Sequence, residues 1–343
     1  MDVWTSERAN AWYEKIAWQV GFNYVPSTAV NSTEMWRKDT FDEAVIRKEL
    51  RWAKEFGYNS LRVFLQYIVW EKEREGFLQN FERFLCIAAE NGFSVLPVLF
   101  DDCAFDQGMD PFYGDQYPPV PGIHNSRWTP SPGFSNADDP KKQPLLQEYV
   151  HAVVGAHAND ERILAWDLYN EPGNTARGNE ALPLLVNVFR WARECDPAQP
   201  LTAGPWNPGV YDSVYYAMLE LSDVLSFHSY EALEKTISNC VKPLEKLNKP
   251  IFVTEWLSRQ RNNTFETHLP YWAENKISCW QWGLVVGKTQ TNLWGGVRNE
   301  KPEVWQHDVF YPDGTVYRQE EMELLRRLRA GDCGSKACQH CDR

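Results

Sequence analysis

The sequence lacks both a long apolar run and an excess of positive charge. No stretch approaches the ~20 apolar residues that a membrane-spanning helix needs. The net charge of −12 argues against nucleic acid or an anionic membrane surface as a partner. Met1 to Arg8 also lack the basic and apolar segments of a secretion signal. These absences predict a cytoplasmic protein, or a secreted one if a leader has been removed, and they leave the oligomeric state open.

Motifs for common cofactors and nucleophiles are missing as well. The chain has no Gly-rich phosphate loop after its first strand-like segment and no Gly-x-Ser-x-Gly turn. Its seven histidines show no pair with a carboxylate at the spacing of a metal site. We therefore expect no cofactor and no metal.

Cysteines are numerous, but their arrangement does not indicate a disulfide framework. Five of the eight are scattered in mostly apolar settings and are expected to be buried thiols. The other three, Cys333, Cys338 and Cys341, lie close to His340, which resembles half of a zinc site. Because a second ligand pair and a surrounding apolar core are absent, residues 331–343 are predicted to form a disordered, cysteine-rich tail.

What the chain has in excess is tryptophan. Its 16 tryptophans, within an aromatic content of 14%, exceed what a core needs. Sugar rings present flat apolar faces, and aromatic side chains suit such faces. The composition therefore favours a carbohydrate as the partner.

Strand-like and helix-like segments alternate along residues 1–330. Strands are predicted at 18–25, 59–65, 93–100, 162–169, 200–206, 223–229, 251–256 and 277–282, with helical periodicity between them. Eight such units indicate an α/β fold, a single-domain (β/α)8 TIM barrel whose active site lies at the carboxyl ends of the strands. Long loops are predicted after the third strand (101–143) and the eighth strand (283–315). An open doubly wound sheet is the competing architecture, but it would need the missing Gly-rich loop.

Polar and aromatic residues lie at the ends of the predicted strands, where this fold gathers side chains around one pocket. They are Arg62, Asp101, Asp102, Asn170, Glu171, Trp206, Asn207, His228, Tyr230, Glu255 and Trp280. Glu171 and Glu255 would face each other across the barrel mouth, like the paired carboxylates of most glycosidases. One would protonate the leaving oxygen, and the other would stay ionised and attack the anomeric carbon.

Three neighbours suit the ionised carboxylate. Arg62 and His228, acting as cations near Glu255, would lower its pKa. Tyr230 would donate a hydrogen bond to the same carboxylate and fix its orientation. These contacts would give the two glutamates different protonation states, as the chemistry requires.

The remaining strand-end residues are predicted to contact the substrate. Asn170 would hold the sugar 2-hydroxyl, and Trp280 would offer a flat face under the ring. Asp101 and Asp102, which follow the third strand, complete the predicted set of substrate-binding residues.

The motifs carry a family resemblance. The sequences Asn170-Glu171-Pro172, Phe227-His228-Ser229-Tyr230 and Val253-Thr254-Glu255-Trp256, with Arg62 on the second strand, resemble clan A glycoside hydrolases, and most closely family 5. The run from Cys279 to Gly283 looks like the corresponding strand of the family's β-mannanases. The resemblance implies a retaining β-glycosidase of polysaccharide degradation, with Glu171 as acid/base and Glu255 as the nucleophile of a covalent glycosyl-enzyme. Their carboxyl groups are then expected to lie about 5–5.5 Å apart.

The third strand departs from the pattern of the family's cellulases. Those enzymes carry a histidine at its end, whereas this chain has Phe100-Asp101-Asp102-Cys103, which argues against a cellulase and indicates a different sugar or recognition of a different hydroxyl. The expected substrate is a plant-type polysaccharide or its oligosaccharides, and mannan, xylan, glucan and galactose- or arabinose-containing chains all stay open. If the 101–143 loop covers the pocket with His124 and Trp128, the enzyme is exo-acting. An open cleft would instead permit endo action. The alternative functions are a non-catalytic carbohydrate-binding barrel and a transglycosylase that uses the same two glutamates.

Overall fold

A computed structural model describes residues 2–105, 109–206 and 210–331. Its centre is one sheet of eight parallel strands, in the order β5-β4-β3-β2-β1-β8-β7-β6. They are β1 Val20–Asn23, β2 Ser60–Phe64, β3 Ser94–Asp101, β4 Trp166–Asn170, β5 Leu201–Gly204, β6 Leu225–His228, β7 Ile251–Trp256 and β8 Ser278–Trp282. The hydroxyls of Thr202 and Ser226 lie 2.8 Å apart and join β5 to β6. The predicted (β/α)8 TIM barrel is confirmed.

Helices surround the sheet. They are α1 Ser6–Tyr13, α2 Ser32–Trp36, α3 Glu43–Glu55, α4 Tyr67–Glu90, α5 Phe134–Asp138, α6 Gln143–Val154, α7 Leu182–Glu194, α8 Ser213–Leu221, α9 Leu233–Thr236, α10 Lys242–Glu245, α11 Phe265–Glu274 and α12 Gln319–Arg329. A π-helical turn, Ile237–Val241, joins α9 to α10. In the described part of the chain, no helix has the length and apolar character required to cross a bilayer.

Two of the predicted helices illustrate how local sequence sets the boundaries. Helix α3 begins where the Asp42 side chain accepts a hydrogen bond from the backbone N–H of Val45, and its apolar face is buried. Helix α4 begins at Tyr67, soon after β2 ends. Its first turns bury apolar residues such as Trp70, and the non-helical backbone of Glu73 separates them from the rest of the helix.

The barrel interior is layered along its axis. The lowest layer is apolar and contains Leu96, Phe252 and Trp280, with Trp12 of α1 packed against it from below. Above it lies the buried side chain of Arg62, and the carboxyl ends of the strands form the rim. A larger apolar core fills the space between the sheet and the helices. Polar chemistry is thus confined to the upper end of the barrel.

Irregularities in the sheet occur on the two strands that lead to the paired glutamates. The β4–β5 register shifts between Asp167 and Asn170, and the β7–β8 register shifts between Val253 and Trp256. A bulge adds one residue and changes which side chains face the interior. Asp167 and Asn170 both reach the interior Arg62 for this reason, although strict alternation would place them on opposite faces.

The two predicted long loops are present and contact each other. Between β3 and α6 the described residues contain only the short helix α5, and a long irregular segment follows β8. Gln290 joins the loops, because its Nε2 donates to the carbonyls of Val120 (2.8 Å) and Ile123 (2.9 Å), and its Oε1 accepts from Gly122 N (3.1 Å). The predicted cysteine-rich tail, with His340, lies outside the described residues apart from Gly331, as does Asn207.

Candidate active site

Glu171 and Glu255 meet at the upper end of the barrel. They lie at the ends of β4 and β7 and line one cleft of about 200 Å³. Their side chains are close, since one carboxylate oxygen of each lies within 4.8 Å of the other. Only 8% of Glu171 and 5% of Glu255 is exposed, so the pair is largely shielded from water.

The backbone of Glu171 is unusual. Its φ of +49° lies in the left-handed region, which a glutamate seldom occupies, and its N–H donates to the carbonyl of Gly204 at 2.9 Å. This conformation turns the carboxyl group toward the cleft. There the Asn174 side chain donates to Oε2 (2.6 Å), and His228 Nδ1 lies 2.8 Å from Oε1. Burial raises the pKa of Glu171, which favours the protonated form that an acid catalyst needs.

Glu255 has different partners. Arg62 Nη1 donates to its Oε1 at 2.9 Å, and the Tyr230 hydroxyl donates to its Oε2 at 2.7 Å. Burial raises the pKa of this carboxyl too, but the guanidinium and the hydroxyl both favour its ionised form. Of the two glutamates, Glu255 is the one in direct contact with a cation. It is therefore the carboxylate suited to nucleophilic attack.

Arg62 organises the layer beneath the glutamates. Besides Glu255, it donates to Asn23 Oδ1 (2.8 Å), to Asp167 Oδ2 (3.0 Å) and to Asn170 Oδ1 (2.6 Å). Arg62 is a fully buried cation, and its ion pairs with Asp167 and Glu255 compensate its positive charge. The amide of Asn170 is held at the cleft with a fixed orientation, as the predicted 2-hydroxyl contact requires.

His228 lies in the cleft region, but its burial opposes the predicted role as a cation. Burial lowers its pKa to about 4, so the ring is neutral at neutral pH. Its Nδ1 is closer to Glu171 (2.8 Å) than to Glu255 (3.5 Å). On its other side, a Cβ at Gly204 would lie only 2.9 Å from Nε2. We assign His228 to the positioning of Glu171.

Asp101 and Asp102 do not line the cleft, contrary to the prediction that they bind substrate. Asp101 accepts hydrogen bonds from Asn170 Nδ2 (2.8 Å) and from the indole of Trp128 (2.7 Å). Asp102 faces the other way and accepts from the Tyr169 hydroxyl (2.6 Å) and from Gly173 N (2.8 Å). The two carboxylates hold the walls of the cleft rather than the sugar.

Trp280 also requires a correction. It is fully buried in the lowest layer of the barrel, where its indole donates to Ser60 Oγ at 3.1 Å. Trp282, which is 9% exposed, lines the cleft instead. Because side chains two residues apart share a face of a strand, both tryptophans point inward, and only their height along the barrel axis separates them. The prediction for Trp280 was therefore correct about the face of the strand and wrong about the height along the barrel axis.

The cleft lining extends beyond the predicted site residues. Apart from Asn170, Glu171, Tyr230 and Glu255, it comprises Cys103, Phe105, His124, Trp128, Asn174, Trp282, Gly295, Gln306 and His307. The 101–143 loop does reach the cleft with His124 and Trp128, as the lid alternative predicted. Most of the others come from the two long loops, whose path no periodicity reveals. Trp206 lies outside this cleft and is 44% exposed.

An aromatic cluster closes the cleft beside Trp282. The rings of Phe64 and Trp128 pack edge to face at 4.9 Å, and each lies 5.6 Å from the ring of Trp282. Such contacts between large buried rings are favourable and rigid. The cleft is therefore bounded on this side by packed aromatic side chains.

Within the described residues, two groups of side chains have the spacing of a metal site. Glu82, His157 and Asp160 form one group, but Arg162 already pairs with its two carboxylates at 2.8 and 2.5 Å. The other group is Glu171, His228 and Glu255, whose carboxylate oxygens and imidazole Nδ1 have the partners described above. The expectation of no metal and no cofactor remains a prediction.

Sequence comparison identifies a family and one curated relative. The chain matches the family described as cellulase (glycosyl hydrolase family 5) over residues 25–286. A 153-residue segment is 27% identical to a β-galactosidase from Leuconostoc mesenteroides. That segment covers 43% of this chain but only 14% of the β-galactosidase, so the two proteins differ greatly in length.

Solved structures with a similar fold include glycoside hydrolases. An exo-β-1,4-mannosidase from Opitutaceae bacterium strain TAV5 superposes with a TM-score of 0.62 at 17% identity, over 92% of this chain and 60% of that one. A GH5_18 protein from Streptomyces cattleya in complex with Manβ1-4GlcNAc has a TM-score of 0.64 at 14% identity, over 94% and 82%. An endo-β-1,4-mannanase from Thermotoga petrophila gives 0.58 at 14% identity, over 93% and 77%. At such identities the likeness establishes the fold.

Proposed function

The chain belongs to glycoside hydrolase family 5, and we propose from this membership that it hydrolyses β-glycosides with retention of configuration. The observation that carries the proposal is the close approach of Glu171 and Glu255, with one oxygen of each within 4.8 Å of the other. Retaining enzymes hold their carboxyl groups about 5–5.5 Å apart, whereas inverting enzymes leave about 6.5–9.5 Å for a water molecule. The different hydrogen-bond partners of Glu171 and Glu255 support their roles as acid/base and nucleophile.

The proposed reaction has two displacements. Glu171 gives its proton to the glycosidic oxygen while Glu255 attacks the anomeric carbon, which releases the leaving group and forms a glycosyl ester. The Glu171 carboxylate then takes a proton from water, and the resulting hydroxide oxygen displaces Glu255 from the same carbon. Arg62 and Tyr230 stabilise Glu255 whenever it is ionised. Asn170 is held where it can bind the sugar 2-hydroxyl.

We infer further that the substrates are β-mannosides, cleaved from one end of plant-type oligosaccharides. The mannosidase and mannanase descriptions of the structural neighbours support the sugar. The loop that brings His124 and Trp128 to the cleft, and the packed rings of Phe64, Trp128 and Trp282, support exo action. Space for a sugar chain beyond the cleaved residue is restricted on that side.

Azide rescue of two variants tests the retaining mechanism. Glu255→Ala should lose nearly all activity on an aryl β-glycoside, and azide should restore turnover as the α-glycosyl azide. Glu171→Ala should still form the glycosyl-enzyme from an activated substrate, and azide should then give the β-glycosyl azide. The exposed Glu303→Ala is a matched control with unchanged turnover. Normal activity of Glu255→Ala, or the same azide anomer from both variants, would refute the mechanism.

A substrate panel tests the sugar and the mode of action. Aryl β-mannoside should be cleaved faster than the corresponding glucoside, galactoside or xyloside. Manno-oligosaccharides labelled at the reducing end should shorten by one sugar at a time, and the viscosity of mannan should fall slowly. A rapid fall in viscosity with a ladder of mixed products would mean that the enzyme cuts internally.

A further inference from the structure

The cleft has a second polar wall that the proposed chemistry does not use. His124 comes from the loop after β3, and Gln306 and His307 come from the loop after β8. All three are buried and line the cleft that holds Glu171 and Glu255. The imidazole rings of His124 and His307 lie 5.3 Å apart, and the ring of His307 lies 5.4 Å from that of Tyr230.

The backbone determines the tautomer of both histidines. His124 Nδ1 is 3.0 Å from the carbonyl oxygen of Leu293, and His307 Nδ1 is hydrogen-bonded to the carbonyl oxygen of Leu257. Because a carbonyl oxygen only accepts hydrogen bonds, each Nδ1 must carry the hydrogen. In a neutral ring, Nε2 then has a lone pair and no hydrogen.

Both rings are neutral at neutral pH. Burial lowers the pKa of His124 to about 4, and burial together with the neighbouring His124 lowers the pKa of His307 well below its ordinary value. Among the described residues, no group hydrogen-bonds to Nε2 of either ring. The two Nε2 atoms are therefore hydrogen-bond acceptors that remain available at the cleft.

Gln306 adds a third polar group. Its side chain is buried, and its Oε1 has no hydrogen-bond partner among the described residues. Buried amides are seldom left without partners in folded proteins. Rotation of the terminal amide would let it adapt to whichever ligand atom the two imidazoles hold.

We propose that His124 and His307, assisted by Gln306, form an acceptor wall that binds hydroxyl hydrogens of the sugar held between the two glutamates. This inference rests on the proposed glycosidase function and restricts the class of sugars that the enzyme accepts. The wall accepts a neutral sugar whose hydroxyls are unsubstituted, because only an O–H can donate to Nε2. An acetyl ester, a methyl ether or a uronate at these positions presents acceptors alone and leaves the buried nitrogens unpaired.

Deoxy and fluoro substrates test the direction of the hydrogen bonds. At the contacted position, replacing O–H by H or by F should lower kcat/KM of the wild type by about 10- to 100-fold, since neither can donate. For His307→Phe, kcat/KM on the parent glycoside should be lower than that of the wild type by a similar factor. The deoxy and fluoro analogues should cause no further decrease in this variant. His124→Phe is the second variant, and His151→Phe, at a partly exposed histidine on α6, is the matched control. The proposal fails if the wild type cleaves the fluoro analogue as fast as the parent glycoside. It also fails if kcat/KM of both variants falls as much on the deoxy and fluoro analogues as that of the wild type.

Nitrogen NMR of histidine-labelled wild-type enzyme provides a readout that does not depend on turnover. His124 and His307 should each show a protonated Nδ1 and an unprotonated Nε2, and added mannose should shift the Nε2 signals. A protonated Nε2, or no shift at saturating sugar, would overturn the acceptor wall. If no β-glycoside is hydrolysed but the Nε2 signals respond to the sugar, the proposed function fails while the wall stands.

Discussion

Neighbouring residues at the end of β3 show how a single position decides a side chain's role. Asp101 and Asp102 are consecutive carboxylates, and both are buried. Asp101 fixes the amide of Asn170 at the cleft, while Asp102 fixes the loop that follows Glu171 by accepting from Gly173 N. One aspartate acts on the binding site, and the other acts on the chain that carries the acid.

Substituting each aspartate should therefore have a different consequence. In Asp101→Asn, an amide N–H would face groups that donate hydrogen bonds. Asn170 should then be misoriented, and kcat/KM should fall by about 100-fold. Asp102→Asn should mainly lower Tm, by several degrees, with a smaller change in kcat. Steady-state kinetics and thermal melts of the two variants check this. Equal kinetic losses in both would show that the aspartates do not act on separate parts of the site.

Residue types at strand ends were predictable from the sequence, but their heights and directions were not. Glu171, Glu255, Arg62, Asn170 and Tyr230 could be found because each lies in or next to the carboxyl-terminal half of an apolar strand. Period-two alternation cannot distinguish Trp280 from Trp282, because both lie on the same face. Nor can it show that burial makes His228 neutral, since burial depends on the surrounding chain.

Among the elements, the strands and most helices matched their predictions, whereas the bulges could not be foreseen. Apolar runs between helical segments mark the strands, because those strands are buried on both faces. A bulge depends on how one strand pairs with its neighbour, as at Asp167–Asn170. Long loops were recognised by the break in periodicity, yet their contact through Gln290 required the three-dimensional structure.

Gln290 joins the two long loops that line the cleft. Gln290→Ala removes three of the hydrogen bonds between the 101–143 loop and the loop after β8. We expect KM to rise about 10-fold, because each lost hydrogen bond costs roughly 0.5–1.5 kcal/mol and the loop loses order. The 101–143 segment should also become more sensitive to limited proteolysis.

An exposed glutamine provides the control for this change. Gln79 on α4 makes one side-chain hydrogen bond, to Glu75 at 3.2 Å, far from the cleft. Gln79→Ala should leave both KM and the proteolysis rate unchanged. If Gln290→Ala behaves like Gln79→Ala, the contact between the loops does not determine the shape of the cleft.

For the whole molecule, a buried carboxyl away from the glutamates should make stability depend on pH. Asp308 is fully buried and accepts from Thr291 Oγ1 at 2.8 Å. Burial raises its pKa to about 7, well above the ~3.9 of an unfolded aspartate. The folded state therefore holds this proton more tightly, and its contribution, complete below pH ~3.9, is lost as pH rises through about 7.

Asp308→Asn removes that titration. Between pH 5 and 8 the wild type should lose on the order of 2 kcal/mol more unfolding free energy than Asp308→Asn. Urea unfolding at the two pH values measures the difference. Asp313→Asn, at an exposed aspartate in the same loop, should follow the wild type. Parallel pH dependences of wild type and Asp308→Asn would show that Asp308 does not titrate in this range.

The left-handed backbone of Glu171 implies a trade-off between folding and activity. A glutamate with φ of +49° costs on the order of 1 kcal/mol, and its buried carboxyl adds a desolvation cost. A chain selected for stability alone would carry glycine at position 171, since glycine adopts this conformation without strain. Glu171→Gly should accordingly melt at a higher temperature than Glu171→Ala, although both lack the acid. The strained backbone thus lies at the residue that is proposed to protonate the glycosidic bond.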